Sequence, residues 1–454
     1  MKIILLNPPY DYKVVREGRC QHETAIWDSI YPPLSLATIA SYLRDSHEVT
    51  IIDAIAEEID IHSLIKDPRI KDVELFIASV STPTIKEDLK ILSQLKRITQ
   101  AKIAIFGVHA SYYAENLIKY ETIDYVLLGN PETPAFRLAE GKKDRYEGII
   151  YKEDNQIIRI PASPPPSKLS LKVPSWDLVD LEKYKIPIKK KKYVLLSTAR
   201  GCPFNCAFCV VPFYRGRKVR FREVSEIISE LKEVTKFVDE IFFYTDLFTF
   251  NKKYVTQLCE KILAEGIKID WICNSRVDTF DQNVAQIMRK AGCWMVSFGI
   301  ESGNQQILDL MEKKITLAQS IAAVEAAKKE GIITIGHFVL GFPGETSTSL
   351  AETLKFSRKL NLDFAEFYIA TPFPGSELFE RIKEKLSLDW EKIRYDYNPY
   401  NYPFNLEKAR KKAYLLFYLR PSKIIKFISL FGLRKLPSMI FSGIRLIFSI
   451  IRKK

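Results

Sequence analysis

Three cysteines, Cys202, Cys206 and Cys209, lie on one short stretch, ARGCPFNCAFCVVPF, with the spacing C-x3-C-x2-C. Thiolates are soft ligands suited to iron–sulfur clusters. Three of them on one loop can wrap one face of a cubane and leave the fourth iron open. An open iron can chelate a small molecule, which a closed four-cysteine site cannot do. The competing chemistries are a structural zinc site and three unrelated buried thiols. Zinc usually takes four ligands in two separated pairs, and this chain has no second pair. Of the other four cysteines, Cys259 falls in a helical pattern and Cys273 in a strand pattern, where a buried thiol is the default. Cys293 is a third candidate extra ligand. Cys20 sits with His22 and Trp27 in the stretch 11–30, which is either a cover for the active site or a plain surface loop.

The elements that must position this loop read as two successive alternations. In residues 1–145, KIILLN (2–7), EVTIID (48–53), ELFIASV (74–80), KIAIFG (102–107) and DYVLLG (124–129) form apolar runs separated by helical patterns such as 34–46 and 85–98. That order predicts an α/β domain with a doubly wound parallel sheet, Rossmann-like, with ligands beyond the carboxyl ends of its strands. The candidate ligand loops carry Asn7 and Pro8, then Ser79, Ser81 and Thr82, then Gly107 and His109, and last Gly129 and Glu132. Residues 146–188, with ASPPPSKLSLKVPSW at 162–176, read as a stiff polar linker. Over 189–400 a second alternation supplies strands at 193–197, 240–245, 269–274, 294–299, 333–341 and 365–370. Six βα units predict an incomplete parallel barrel, a partial (β/α)6 fold with its chemistry at the carboxyl ends of the strands.

The formal net charge of +13 is not spread evenly. Residues 408–454 carry thirteen Lys and Arg and no acid, and the rest of the chain balances at 55 of each sign. A long nucleic-acid groove is therefore disfavoured against an anionic surface. Within this helical basic tail (401–454), Ile440, Phe441, Ile444, Ile447, Phe448 and Ile451 recur at helical spacing, with Arg445 and Arg452 on another face. Such a helix either lies in the headgroup region of an anionic membrane or packs on the barrel with its bases snorkelling outward. No uncharged apolar run reaches the ~18–20 residues that span a bilayer. The odd cysteine count and a start, MKIILLNPPY, without a signal-peptide h-region lead us to expect a reducing cytoplasmic setting, peripheral at the membrane's inner face if the tail binds there.

The loop CxxxCxxC, with aromatic Phe208 before its last cysteine, resembles the signature of the radical S-adenosylmethionine (radical SAM) superfamily, whose fold is a partial barrel. The resemblance implies that the open iron of a 4Fe–4S cluster binds the amino and carboxylate groups of S-adenosylmethionine. An electron from a donor such as flavodoxin or ferredoxin would release a 5′-deoxyadenosyl radical that takes hydrogen from substrate. It places cofactor contacts at Phe208, Asp246, Ser275, Arg276, Glu301 and Gly341. The layout of a strand-rich domain before the barrel is similar to the cobalamin-binding branch, with NPPY, YPPLSLATIASYL (31–43), LLGNPE, TPFPGSEL (371–378) and YLRPSKI (418–424) fitting its pattern. Cobalamin would then lie between the domains, over the Gly107 and Gly129 loops. The Asp-x-His-x-x-Gly sequence that ligates cobalt is missing, so His109 is expected to hydrogen-bond within its loop. The reaction expected is modification of an unactivated carbon of a small molecule or lipid, usually methyl transfer, otherwise cyclisation, rearrangement or oxidation. The rivals are methylthiotransferase-like tRNA modification, which expects a second cluster on N-terminal cysteines, and a non-catalytic electron carrier.

Overall fold

Parallel pairing organises both halves of the chain. The computed structural model describes residues 1–17, 22–23, 30–186, 188–384 and 398–431. In the first half, β1 (Lys2–Asn7), β2 (Glu48–Asp53), β3 (Leu75–Ser79), β4 (Lys102–Phe106) and β5 (Tyr125–Leu127) form the five expected strands, in the order β2-β1-β3-β4-β5. All neighbours among them are parallel. Strands buried on both faces read as continuous apolar runs, and alternate residues serve different cores. Ile3, Leu5 and Ile77 join α1 (Leu34–Leu43) and the second domain in one cluster, whereas Ile4, Leu6 and Phe76 pack with α2 (Ile85–Thr99) in another. The strand order reverses between β1 and β3, the switch point at which such sheets bind ligands.

Part of the expected linker is sheet. β6 (Ile149–Glu153) pairs antiparallel with β5, and β7 (Gln156–Ile160) with β6, so the first domain runs past residue 145. The two-residue turn between them, Asp154-Asn155, has positive φ at both positions (47° and 64°), which suits a tight hairpin. The remaining linker is anchored: Ser175 donates its backbone N–H to the carbonyl of Ala37 at 2.9 Å, and Tyr184 donates its hydroxyl to Asp53 at 2.7 Å.

The second half is the partial barrel. β8 (Tyr193–Leu196), β9 (Glu240–Phe243), β10 (Asp270–Ser275), β11 (Cys293–Glu301), β12 (Ile333–Leu340) and β13 (Phe364–Ile369) run parallel in chain order. The helices α3 (Val224–Val234), α4 (Lys252–Ala264), α5 (Gln282–Lys290), α6 (Leu317–Lys329) and α7 (Ser347–Lys359) alternate with them. Side-chain caps from Asn251, Asp281, Thr316 and Thr346 start the last four of these helices. The edge strand β13 is covered by α8 (Leu406–Tyr418). The backbone N–H of Ala365 donates to the Tyr418 hydroxyl at 2.9 Å, and that of Phe367 to the Tyr414 hydroxyl at 3.2 Å. This start of the basic tail is therefore a packing element that protects an edge. The apolar stripe at Ile440–Ile451, Arg445, Arg452, Cys20 and Trp27 lie outside the described residues.

Trp271 is wholly buried behind β10, edge-on to Phe243 at 5.0 Å, and donates its indole N–H to the carbonyl of Ala291 at 2.7 Å. Trp271→Ala should lower stability by about 3–5 kcal/mol. The check is denaturant unfolding of anaerobically purified protein followed by circular dichroism.

Candidate active site

The cysteine loop begins two residues after a short ladder in which Ala199 and Arg200 pair with Phe221 and Arg220. Gly201 has φ +99°, and a Cβ there would come within 2.3 Å of the Lys218 carbonyl oxygen, so the turn admits glycine only. Backbone bonds pin the rest: Gly201 N–H to Asp246 Oδ2 (3.0 Å), Cys202 N–H to the Gly216 carbonyl (3.1 Å), Ala207 N–H to that of Met311 (2.9 Å) and Cys209 N–H to that of Cys206 (2.9 Å). All three thiols are half-buried, free of disulfides, and face one cavity of about 400 Å³ inside the barrel mouth. Among the described residues, no three His, Cys, Asp or Glu side chains close on a single ion. A cubane offers a separate iron to each thiolate, so this donor set fits a 4Fe–4S cluster better than a zinc ion. Cys259, Cys273 and Cys293 are buried in the barrel wall, where burial pushes the thiols of Cys259 and Cys273 above their ordinary range.

Phe208, Asp246, Ser275, Arg276 and Glu301 line the same cavity as the cysteines. Asp246 supports the loop through Gly201 as well as facing the cavity. The hydroxyls of Ser275 and Thr249 share a hydrogen bond of 2.6 Å, which fixes the end of β10. Glu301 sits at φ +66° and accepts from Lys313 Nζ at 2.6 Å, both side chains almost fully buried. A Cβ on Gly299 would fall 2.5 Å from Glu301 Oε1 and 2.8 Å from Lys313 Nζ, so the glycine makes room for that pair. Arg276 is clamped by Asp278, with Nε and Nη2 each 2.9 Å from a carboxylate oxygen, and it reaches Cys206 Sγ from Nη1 at 3.8 Å. Burial opposes its charge, but Asp278 and the thiolates of Cys206 and Cys202 raise its pKa on balance.

Gly341 departs from expectation. Its φ is +76° and a Cβ would lie 2.5 Å from Leu406, while its carbonyl accepts from Asn398 (2.9 Å) and Tyr402 (2.5 Å). The segment from Asn398 to Leu406 thus packs on the Gly341 backbone, which was expected to meet S-adenosylmethionine, and Gly341 is not among the cavity's lining residues. The positive φ favours glycine at this turn, with the Leu406 side chain close beside it.

The sequence reading missed the polar wall contributed by the last two strands. His337 Nδ1 lies 3.2 Å from the Tyr368 hydroxyl and 3.4 Å from Glu366 Oε2, and Tyr368 donates to Glu366. All three line the cavity. Burial, and then the Glu366 carboxylate, pushes the Tyr368 phenol well above its usual range. A signal was available: His337 and Glu366 interrupt otherwise apolar buried strands, and burying such groups is costly unless they are paired or functional. Ile272, Met295 and Ile335 line the cavity one strand repeat below.

The nine residues expected to meet cobalamin gather at the carboxyl edge of the first sheet. Their polar side chains are buried, and those of Asn7, Ser81, Thr82, His109 and Glu132 have a hydrogen-bond partner within the protein. The Pro8 carbonyl accepts from Arg16 at 2.6 Å, and Asn7 bonds to Asp53. Ser81 Oγ lies 2.8 Å from Thr84 Oγ1, and Ser79 is buried at the end of β3. Thr82 lies 3.0 Å from His109 Nδ1. Burial drives the pKa of His109 down to about 3, which favours the neutral ring. Gly107, at φ +132°, brings the backbone against Val80, and the Gly129 N–H donates to Ser111. Glu132 accepts from both terminal nitrogens of Arg200, at 2.6 and 3.1 Å, and is otherwise buried. Burial alone would raise the Glu132 pKa, but Arg200 holds it below the ordinary carboxylate value. From the same edge Val108 packs with Val210, the residue after Cys209, and with Tyr214 and Phe373. The edge therefore presents backbone and apolar surface beside the cysteine loop, a setting that fits a corrin held without a histidine ligand.

Comparison with known proteins agrees with this geometry. A profile of the Radical SAM superfamily matches residues 196–357. An uncharacterized methyltransferase of Pyrococcus horikoshii is 33% identical over 94% of both chains. An anaerobic magnesium-protoporphyrin IX monomethyl ester cyclase of Rubrivivax gelatinosus is 27% identical over 82% of this chain and 69% of its own. Among solved structures, the fold is shared with the radical S-adenosylmethionine methyltransferase TsrM of Kitasatospora setae, with cobalamin and a [4Fe-4S] cluster bound (TM-score 0.66, 18% identity, 85% of this chain and 78% of that one). It is shared also with the cobalamin-dependent enzyme OxsB, with aqua-cobalamin and S-adenosylmethionine bound (TM-score 0.69, 18% identity, 91% and 65%).

Replacing Cys202, Cys206 and Cys209 together by alanine should remove all cluster iron after anaerobic reconstitution. Retention of about four irons per chain, the content of one such cluster, would show that the ligands lie elsewhere.

Proposed function

Because the chain belongs to the radical S-adenosylmethionine superfamily, we propose that it is a cobalamin-dependent member that transfers a methyl group to an unactivated carbon of a small molecule. The observation that carries this reading is the contact of Val108 with Val210, which sets the ligand edge of the first sheet directly beside three cavity-facing thiols. Cys202, Cys206 and Cys209 would hold a 4Fe–4S cluster, which would supply the single electron needed for reductive cleavage of S-adenosylmethionine. The carboxyl edge of β1 to β5 would hold cobalamin, which would supply methyl-carrier chemistry with a second S-adenosylmethionine as the methyl source.

The chain's own residues do the rest. Asp246 holds the loop and offers a carboxylate to the cofactor's ammonium. Glu301 and Lys313 present opposite charges side by side, complementary to an amino acid's two ends. Ile272, Met295 and Ile335 keep water from the reacting centre. His337, Glu366 and Tyr368 bind a polar group of the substrate and so orient its carbon skeleton. Ring closure is the second outcome of the same radical chemistry, supported by the likeness to the cyclase over 82% of this chain and 69% of that one. Sulfur insertion into tRNA gains no support from the described cysteines outside the loop, which are buried in the barrel wall.

A small-molecule substrate and a redox partner suit this chemistry, and flavodoxin or ferredoxin is the donor class we propose. No helix among the described residues is long and apolar enough to cross a membrane. Peripheral contact through the tail, and with it a cytoplasmic location at the membrane face and a lipid-soluble substrate, is a finer proposal. It is supported by the basic tail and by the exposure of Leu419 and Ile425.

With a strong reductant, the reconstituted protein should form 5′-deoxyadenosine even without substrate. Asp246→Ala and Glu301→Ala should each weaken S-adenosylmethionine binding at least several-fold, measured by equilibrium dialysis. One cobalamin per chain should survive desalting and show in the optical spectrum. A corrinoid-free protein that still cleaves the cofactor would leave the radical assignment standing and remove cobalamin. Full-length protein should co-sediment with anionic vesicles at low salt, less so as salt screens the attraction, and truncation after Pro421 should abolish this.

A further inference from the structure

Arg276 has more constraint than a cofactor contact needs. Its Nε and Nη2 form a two-pronged bond to Asp278, and Nη2 also donates to the Lys313 carbonyl at 2.8 Å. The guanidinium carbon stands 3.7 Å from the centroid of the Phe204 ring, which itself packs edge-on to Phe250. The side chain is 7% exposed. With three sides held, the remaining nitrogen, Nη1, is aimed at Cys206 Sγ, 3.8 Å away. A planar guanidinium clamped by a carboxylate and stacked on an aromatic ring has no freedom to turn elsewhere.

Such a contact acts on electron transfer. Reduction adds one negative charge to the cluster and its thiolates. A fixed cation and an N–H···S bond to a ligand sulfur stabilise the reduced form more than the oxidised one, and burial leaves that interaction weakly screened. We propose that Arg276 is a positioning residue for the electron: through its contact with Cys206 it raises the reduction potential of the cluster, and Asp278 and Phe204 fix its aim. The role differs from a ribose contact, which would leave the cluster's potential alone. It rests on the assignment of Cys202, Cys206 and Cys209 as cluster ligands.

The test is a redox titration of the anaerobically reconstituted full-length protein, without S-adenosylmethionine, followed by electron paramagnetic resonance. Arg276→Gln should disfavour reduction about tenfold, a midpoint more negative by ~59 mV for one electron. Arg276→Lys keeps the charge but loses the fork, and should fall between that variant and the parent. Asp278→Asn separates two explanations. If only net charge matters, removing a carboxylate raises the potential; if aim matters, freeing Arg276 lowers it, and the lower value is expected. Unchanged midpoints in Arg276→Gln and Asp278→Asn with full iron content, or a raised one in Asp278→Asn, would overturn the proposal. If Arg276→Gln fails to assemble a cluster, the Lys and Asp278 variants decide. Absence of iron from the parent protein would instead count against the cluster assignment.

Discussion

Arg200 and Glu132 form an ion pair with both side chains about 6% exposed, and it joins the ligand edge of the first sheet to the strand that feeds the cysteine loop. Two charges out of water are tolerable only together, since either alone would be an uncompensated buried charge. The pair therefore ties the two domains together at a point where a misfit between them would leave both charges buried without a partner. Asn130 joins it, accepting from Arg200 and from Arg215 on the far side of the loop. Apolar contacts such as Val108 to Val210 then follow, as do the linker's bonds to α1 and Asp53. Because Arg200 is two residues from Cys202, the geometry of the cysteine loop and the placement of the first domain are set by the same interaction.

Inside the barrel, the two-residue period of the strands sorts its contents into levels. Ile272, Met295 and Ile335 each stand two residues before Asn274, Ser297 and His337 on their strands, and all six line the cavity. Gly299 leaves the space that the Glu301–Lys313 pair fills at the mouth. The cavity is thus apolar below and charged near the cluster loop. Such a gradient suits a cofactor with an ionic head and a substrate whose reactive carbon must stay dry.

The open barrel and the open sheet both have edges to protect. On the first sheet the antiparallel pair β6 and β7 takes the outer position, and β7 alternates exposed and half-buried residues as an edge strand does. On the barrel the hydroxyls of Tyr414 and Tyr418 satisfy the backbone of β13 from α8. That helix also brings Leu406 against Gly341.

How much was legible in advance follows from what each signal depends on. The eleven parallel strands could be read from the sequence because parallel strands are buried on both faces and so leave uninterrupted apolar runs. The three thiols were legible as a set because their spacing is local: Cys202, Cys206 and Cys209 share one loop whatever the fold does around it. Phe208, Asp246, Ser275, Arg276 and Glu301 were singled out by the family resemblance, and the structure brings them to one cavity. The hairpin β6–β7 was hidden because a half-exposed edge, QIIRI, looks like the polar linker that follows it. Only the tertiary structure decided what the polar residues do. Glu132 meets Arg200 across 68 positions of sequence, Arg276 meets Cys206 across 70, and His337 meets Tyr368 across 31. Pairings at such distances leave no local pattern, because the chain pays the entropy of closing those loops through its core and not through the paired residues themselves.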